Sequence, residues 1–241
     1  MTLIETMNSR VVDPSRSWTI RNRRNLPEDF KRKWHNKYKG KRCVIFANGP
    51  SLPEISVLQT IQTGVVQIGV NRSFLRAPSH IHVMVDKVHT LWYGDLLAKL
   101  TPLAVLRMTM YPCPGCYSPR RRTINAVESD GQNLLPDLYD YGWIIRGASV
   151  GAFQVAWWLG FETIVFCGLD LKHHATHFCE EPKWLADWLR TTHKEVLEAQ
   201  VDYFHKIAPV VKESGRRVIN TCLDSGEKVF EKVGFDEVFW K

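Results

Sequence analysis

The run Asn48-Gly49-Pro50-Ser51-Leu52 follows the apolar stretch Cys43-Val44-Ile45-Phe46-Ala47 and precedes Pro53-Glu54. Its residue types suit an anion. Gly49 lets a ligand approach the backbone closely, Pro50 fixes the turn, and Ser51 can cap a helix opening at Pro53. The N–H groups of such a helix start attract phosphate. The run is neither G-x-G-x-x-G nor a P-loop, because no Gly-Lys-Ser/Thr follows. Three further apolar runs end in polar residues: Gly69-Val70-Asn71-Arg72-Ser73, Ile81 to Val85 with Asp86, and Thr163 to Cys167 with Gly168-Leu169-Asp170. An asparagine amide there can hold a base or a ribose. An aspartate there can take a ribose hydroxyl, a metal or a transferred proton. Each residue also suits turn chemistry alone, but four such ends together point to a nucleotide site. Histidines add acid–base chemistry near neutral pH, and His177 and His193 are the candidates. Cys113-Pro114-Gly115-Cys116 and the run His173 to Cys179 hold Cys/His ligand types for zinc. One Cys-x-x-C without a second strict pair assigns no metal.

These residues need a scaffold that gathers strand ends at one edge. Apolar runs at 43–47, 65–70, 81–85, 103–108, 163–167 and 217–220 read as buried strands. Segments 53–62, 87–99, 148–160, 183–214 and 225–233 between them suit helices. Strands alternating with helices predict an α/β, doubly wound, Rossmann-like and mainly parallel sheet with helices on both faces. In that architecture ligands sit beyond the carboxyl ends of the strands. The stretch from Thr109 to Gly142, with Pro112, Pro114, Pro119 and Arg120-Arg121-Arg122, breaks the alternation and reads as a binding loop or a peripheral insertion. Ahead of the first strand, Pro27, Glu28 and Asp29 suit a helix start. Phe30, Trp34 and Tyr38 follow at helical spacing, and Gly40 is a stop. The expected organisation is a basic N-terminal arm and helix over 1–40 and one nucleotide-binding transferase domain over 41–241.

Two blocks carry a family resemblance. Val44 to Leu52 resembles the opening strand and N-G-P-S-L turn of bacterial CMP-sialic-acid-dependent sialyltransferases. It is also similar to the related MptE-like family, which includes a 6-hydroxymethylpterin diphosphokinase. Ala148-Ser149-Val150-Gly151-Ala152, then Leu159-Gly160 and Thr163 to Asp170, resembles their small-residue helix start, helix end, strand and G-x-D. A closer likeness is to uncharacterised phage and prophage proteins with the same N-G-P-S-L, G-x-D and Thr-His layout. The resemblance implies nucleotide contacts at Asn48, Gly49, Ser51 and Asn71, and a donor site lined near Ala148 and Ser149. It implies a histidine general base, for which His193 has the nearest spacing; His177 matches the phage-type proteins. The sialyltransferase tyrosine after G-x-D has no counterpart, since Leu171 and Lys172 stand there.

The leading expectation is a nucleotide-dependent transferase, a glycosyltransferase using a nucleotide-activated sugar. Pro50 and Asp86 join Asn48, Gly49, Ser51, Asn71 and Ser149 as nucleotide-binding candidates. His193, His177 and Asp170 are the catalytic candidates. The alternatives are a Mg²⁺-dependent pyrophosphokinase, with Asp86 and Asp170 on the metal, and a non-enzymatic nucleic-acid-binding phage protein.

Hydrophobic residues make up 44% and charged residues 24% of the 241, which excludes a disordered, collagen-like or coiled-coil chain. No run approaches the ~18 apolar residues of a membrane span, and Met1 to Arg10 lacks a signal-peptide core. A cytoplasmic location is expected, in the host if the chain is phage-encoded. Cys43, Cys167 and Cys222 lie in or beside apolar runs and read as buried free thiols. The net charge of +7 is uneven. Residues 16–42 hold eleven Lys/Arg against two Asp/Glu, leaving twenty-one basic and twenty-three acidic groups elsewhere. Nucleic acid or another polyanion is therefore a candidate partner of 16–42 alone, unless those charges are only a solvated face. Binding carried by that segment will weaken steeply with salt. Fluorescence anisotropy with a labelled oligonucleotide checks this, and a salt-independent affinity would exclude it.

Overall fold

The computed structural model describes residues 29–52, 57–84, 104–109, 121–125, 147–172, 177–179 and 183–239. The elements are α1 (Asp29–Trp34), β1 (Arg42–Phe46), α2 (Val57–Gln62), β2 (Val66–Val70), β3 (Ile81–Met84), β4 (Ala104–Thr109), β5 (Arg121–Asn125), α3 (Ala148–Trp158), β6 (Thr163–Cys167), α4 (Lys183–Glu213), β7 (Arg217–Asn220), β8 (Glu231–Lys232) and α5 (Phe235–Phe239). The strands form one eight-stranded sheet in the order β5-β4-β3-β2-β1-β6-β7-β8. Every pairing is parallel. The chain starts at a central strand, walks outward to β5, then returns to lay β6 on the other side of β1. That reversal makes the β1/β6 junction the switch point, the place beyond whose carboxyl ends open α/β sheets take their ligands.

Period-two alternation sends β1 to two cores. Cys43, Ile45 and Ala47 join one cluster with Ile164, Phe166, most of α3 and the α4 residues Tyr203, Phe204, Ile207 and Val211. Val44 and Phe46 face the other, with Leu52, Val165, Cys167, Ile219 and Phe239. A sheet covered on both faces needs apolar residues at successive strand positions, which is why these strands read as continuous runs. α3 is apolar all round and is buried from Val150 to Ala156, because the sheet covers one side and α4 the other. Gln154 on α3 donates to the Tyr203 hydroxyl on α4 at 3.1 Å.

Four expectations are corrected. The sheet has eight strands, not six. β5 lies inside the stretch read as a loop or insertion, because its register against β4, from Val105↔Arg121 to Thr109↔Asn125, is supplied by tertiary pairing. A short charged strand suits a sheet edge. Residues 225–233 form a turn leading into β8 rather than a helix: the Glu227 carboxylate accepts from the N–H groups of Val229 and Phe230, diverting them from helical bonds. The first helix ends at Trp34, and Asn36 turns left-handed with φ 55°. The N–H groups of Asn36 and Tyr38 donate to Trp158 and Leu159 carbonyls at 3.1 and 2.9 Å, at the end of α3. No local pattern announces that docking.

Trp34 and Tyr38 still reach the core, Tyr38 stacking on Phe161 at 4.8 Å. A truncation that removes the basic arm and spares the core therefore stops before Asp29. The Phe30 side chain, helix 87–99 and residues 1–28 lie outside what is described. No helix among the described residues is long and apolar enough to cross a membrane.

Phe153 sits at the centre of the larger core, fully buried against Phe166, Phe204 and Phe230 with ring centroids 6.0–6.2 Å away. Phe153→Ala will cost about 3–5 kcal/mol of stability, the usual loss for an aromatic cavity. Urea unfolding measures it.

Candidate functional site

Because the strands are parallel, the carboxyl ends of β1, β2, β6 and β7 open onto one edge. Pairing of β1 with β6 continues past the strands: Ala47 N–H donates to Cys167 O at 2.8 Å and Gly49 N–H to Gly168 O at 2.9 Å. The two turns touch. A Cβ at residue 49 would stand 1.8 Å from Asp170 Oδ2 and 2.5 Å from Gly168 O. Gly168 itself has φ +75°. Both glycines are therefore demanded by geometry.

Asp170, 8% exposed, joins three strand ends. Its Oδ2 accepts from Ser51 Oγ at 2.8 Å and from Ser51 N–H at 3.4 Å. Its Oδ1 accepts from Cys222 Sγ at 3.5 Å, just beyond β7. Ser51, expected as a helix cap, donates its hydroxyl to Asp170 instead. Cys43 and Cys167 are buried free thiols as expected, whereas Cys222 is free but half-buried. Burial pushes the Cys222 thiol pKa up, and the Asp170 charge pushes it the same way.

Beyond β2, Asn71 adopts φ 46°, a left-handed conformation that asparagine tolerates. Its N–H donates to Val83 O at 3.0 Å. Its carbonyl accepts from His82 Nε2 at 2.7 Å, while Ser79 Oγ lies 3.1 Å from His82 Nδ1. That arrangement fits the neutral imidazole protonated at Nε2. Gly69 makes room, since a Cβ there would lie 2.5 Å from His82 Nδ1.

Arg72 follows, 5% exposed, with Nη2 3.4 Å from His177 Nδ1. The His177 and His193 rings meet edge to face at 5.3 Å. Phe178 N–H donates to Asn48 O at 3.2 Å, laying residues 177–179 over the β1 turn. Asn48 Oδ1 is buried without a hydrogen-bond partner among the described residues. Cys179 lies in the same segment; burial raises its pKa and the Arg72 charge opposes that. α3 leads directly into β6 and packs on β1, β2 and β3, so its start lies toward this edge. Gly147 at its N-cap has φ 121° and offers no side-chain cap. Ala148 and Ser149 follow, half-buried.

Asn48, Gly49, Ser51 and Asp170 thus stand together, with Pro50 half-buried in the same turn. Asn48 and Asn71 lie on adjacent strand ends, and His177 and His193 meet beside Arg72. Ser149 stands at the start of α3. Asp86, Cys113, Cys116, His173 and His174 lie outside the described residues. Among the described residues no group of three or more His, Cys, Asp or Glu is arranged to hold a metal. Sequence reasoning missed the support layer of His82, Ser79, Asn220 and Glu227. The strand-end rule that selected Asn71 and Asp170 selects Asn220 as well.

The model of the family described as 6-hydroxymethylpterin diphosphokinase MptE-like matches residues 18–176. That range holds β1 to β6 and stops before His177. The sialyltransferase CstII from Campylobacter jejuni, solved with the substrate analogue CMP-3FNeuAc, has a similar fold. Its TM-score is 0.51 at 14% identity, over 80% of this chain and 86% of that one. The MAf glycosyltransferase from Magnetospirillum magneticum AMB-1 gives a TM-score of 0.45 at 14% identity, over 83% of this chain and 36% of that one. No curated protein matches the chain.

The Asp170–Cys222 contact is testable through reactivity, since only the thiolate is alkylated. Asp170→Asn removes one cause of the raised pKa, so the pH midpoint of Cys222 alkylation will fall. At pH 8 the iodoacetamide rate, followed by peptide mass spectrometry, will rise by about three- to tenfold. An unmoved midpoint would break the link.

Proposed function

The chain belongs to the MptE-like family, and we propose that it is a nucleotide-dependent transferase moving a glycosyl group from a nucleotide-activated sugar to a hydroxyl acceptor. One observation carries the reading: two histidines and a buried arginine converge on the Asn48 turn at the sheet's switch point. The turn backbone and the start of α3, with Ser149, receive the phosphate. The buried Asn48 Oδ1 accepts from a ligand donor, and Asn71 borders the same crevice. The C–O bond to phosphate breaks with its electron pair leaving on phosphate oxygen, whose charge the α3 dipole and Arg72 offset. The acceptor oxygen attacks the anomeric carbon, and a histidine takes its proton. His177 Nδ1 lies against Arg72 Nη2, and His193, one ring further, is assigned the proton. Asp170, engaged by Ser51 and Cys222, positions the turn. The common fold with a sialyltransferase agrees with this scheme without selecting the sugar.

The family's description favours a second reading, diphosphoryl transfer from ATP. Mg²⁺ would then need Asp86 and Asp170. Asp170 accepts from Ser51 and Cys222 and Asp86 lies outside the described residues, so no step is routed through a metal.

A thermal-shift screen with CMP, UDP, GDP, ATP and their sugar conjugates tests both readings, because a ligand of the native state raises the melting temperature. The expected result is a shift with one nucleotide or its sugar conjugate that survives chelation. Loss of the ATP shift on chelation would favour the kinase, and silence from every nucleotide would remove both. With the responding donor, His193→Ala will cut turnover by about 10²–10⁴-fold, the usual contribution of a general base, while donor affinity stays near wild type. Asn48→Ala will weaken donor affinity instead.

A further inference from the structure

Glu227 is fully buried, although it lies in a loop beyond β7. Its Oε2 accepts from Val229 and Phe230 N–H groups at 3.0 and 3.1 Å. Its Oε1 accepts from Asn220 Nδ2 at 2.7 Å and pairs with Lys232. A buried carboxylate with this many donors is held in one place. Asn220, also fully buried, spends its other bonds on the site side. Nδ2 donates to Leu169 O at 3.0 Å, and Oδ1 accepts from Cys222 N–H at 3.0 Å. The same loop grips the next residue: Gly226 N–H donates to Asp170 O at 2.6 Å. A Cβ at residue 226 would stand 2.1 Å from Leu171 O. Both sides of the β6 turn are therefore fixed, the β1 side by Ser51 and Gly49 and the β7 side by this loop.

We propose that Glu227 and Asn220 are positioning residues of the nucleotide site, acting through Leu169 and Asp170 to hold the Ser51 turn in its ligand-ready geometry. The inference rests on reading that turn as the phosphate-binding element. Neither residue touches ligand. Glu227 organises the loop, Asn220 ties it to β6, and Asp170 passes the constraint to Ser51. Rigid support of this kind sets how well a binding turn is pre-organised. It also explains why a loop two strands from β1 contains buried polar groups where apolar ones would pack more simply.

Hydrogen exchange of the full chain, read by mass spectrometry, tests the coupling without any ligand. Glu227→Gln keeps the shape but turns one accepting oxygen into a donor, and Asn220→Ser removes both Nδ2 donations, to Leu169 and to Glu227, while staying small. Each variant will speed exchange over Gly49–Leu52 by about fivefold relative to Val66–Val70. Phe153→Ala is the control for general loss of stability and will not change that ratio. In the same variants the affinity for CMP, used as the probe in calorimetry, will fall about tenfold. An unchanged ratio in either variant that keeps a native circular-dichroism spectrum overturns the proposal, and so does the same ratio change in Phe153→Ala. If wild type binds neither CMP nor any other nucleotide, the nucleotide reading falls. The exchange ratio still decides whether Glu227 holds the turn.

Discussion

The contact between the Gly49 turn and Asp170 is the constraint on which the carboxyl edge of the sheet depends. Adjacent parallel strands can diverge beyond their last paired residues, and at a switch point they usually do. Here β1 and β6 stay joined past their ends by the Gly49–Gly168 bond, and the Asp170 carboxylate closes the gap through Ser51. There is no room for a side chain at residue 49. The result is a turn whose backbone is fixed before any ligand arrives. A pre-organised turn loses little freedom on binding a ligand.

A second set of contacts converges from the β2 side. His82 is buried behind the strand end and holds the Asn71 carbonyl, so the left-handed turn keeps one geometry. That turn delivers Arg72 inward to His177. His177 in turn meets His193, which stands on α4, a helix that packs its remaining length on the opposite side of α3. An arginine from the β2 end and two histidines about a hundred residues later in the chain thus come together. They meet because α4 must cover α3 to bury it. Core packing and site assembly are the same event here.

Much of the scaffold was legible along the chain. The runs at β1 and β6 are continuous and apolar because both faces of the sheet are covered there, and α3 and α4 were bounded to within two residues. Strand-end polar residues fall on one edge, since in a parallel sheet every carboxyl end faces the same way. β5 and β8 were not legible. Arg121-Arg122-Thr123-Ile124-Asn125 has no apolar run, and β8 is two residues long; both exist because a neighbouring strand offers hydrogen bonds. The helix expected over 225–233 failed for the opposite reason, since a buried carboxylate claimed its backbone donors.

What the amino-acid order determined by itself was periodic: which segments are strands or helices, which edge collects the polar ends, and which glycines sit in the turns. Periodicity is local, and burial writes it directly into residue type. What only the tertiary structure decided was partnership. That Ser51 donates to Asp170 rather than capping a helix, that His177 and His193 face each other beside Arg72, and that Glu227 acts on the β6 turn through Asn220 all depend on strand order. Strand order follows from how the crossovers pack, and no single segment of the chain encodes it.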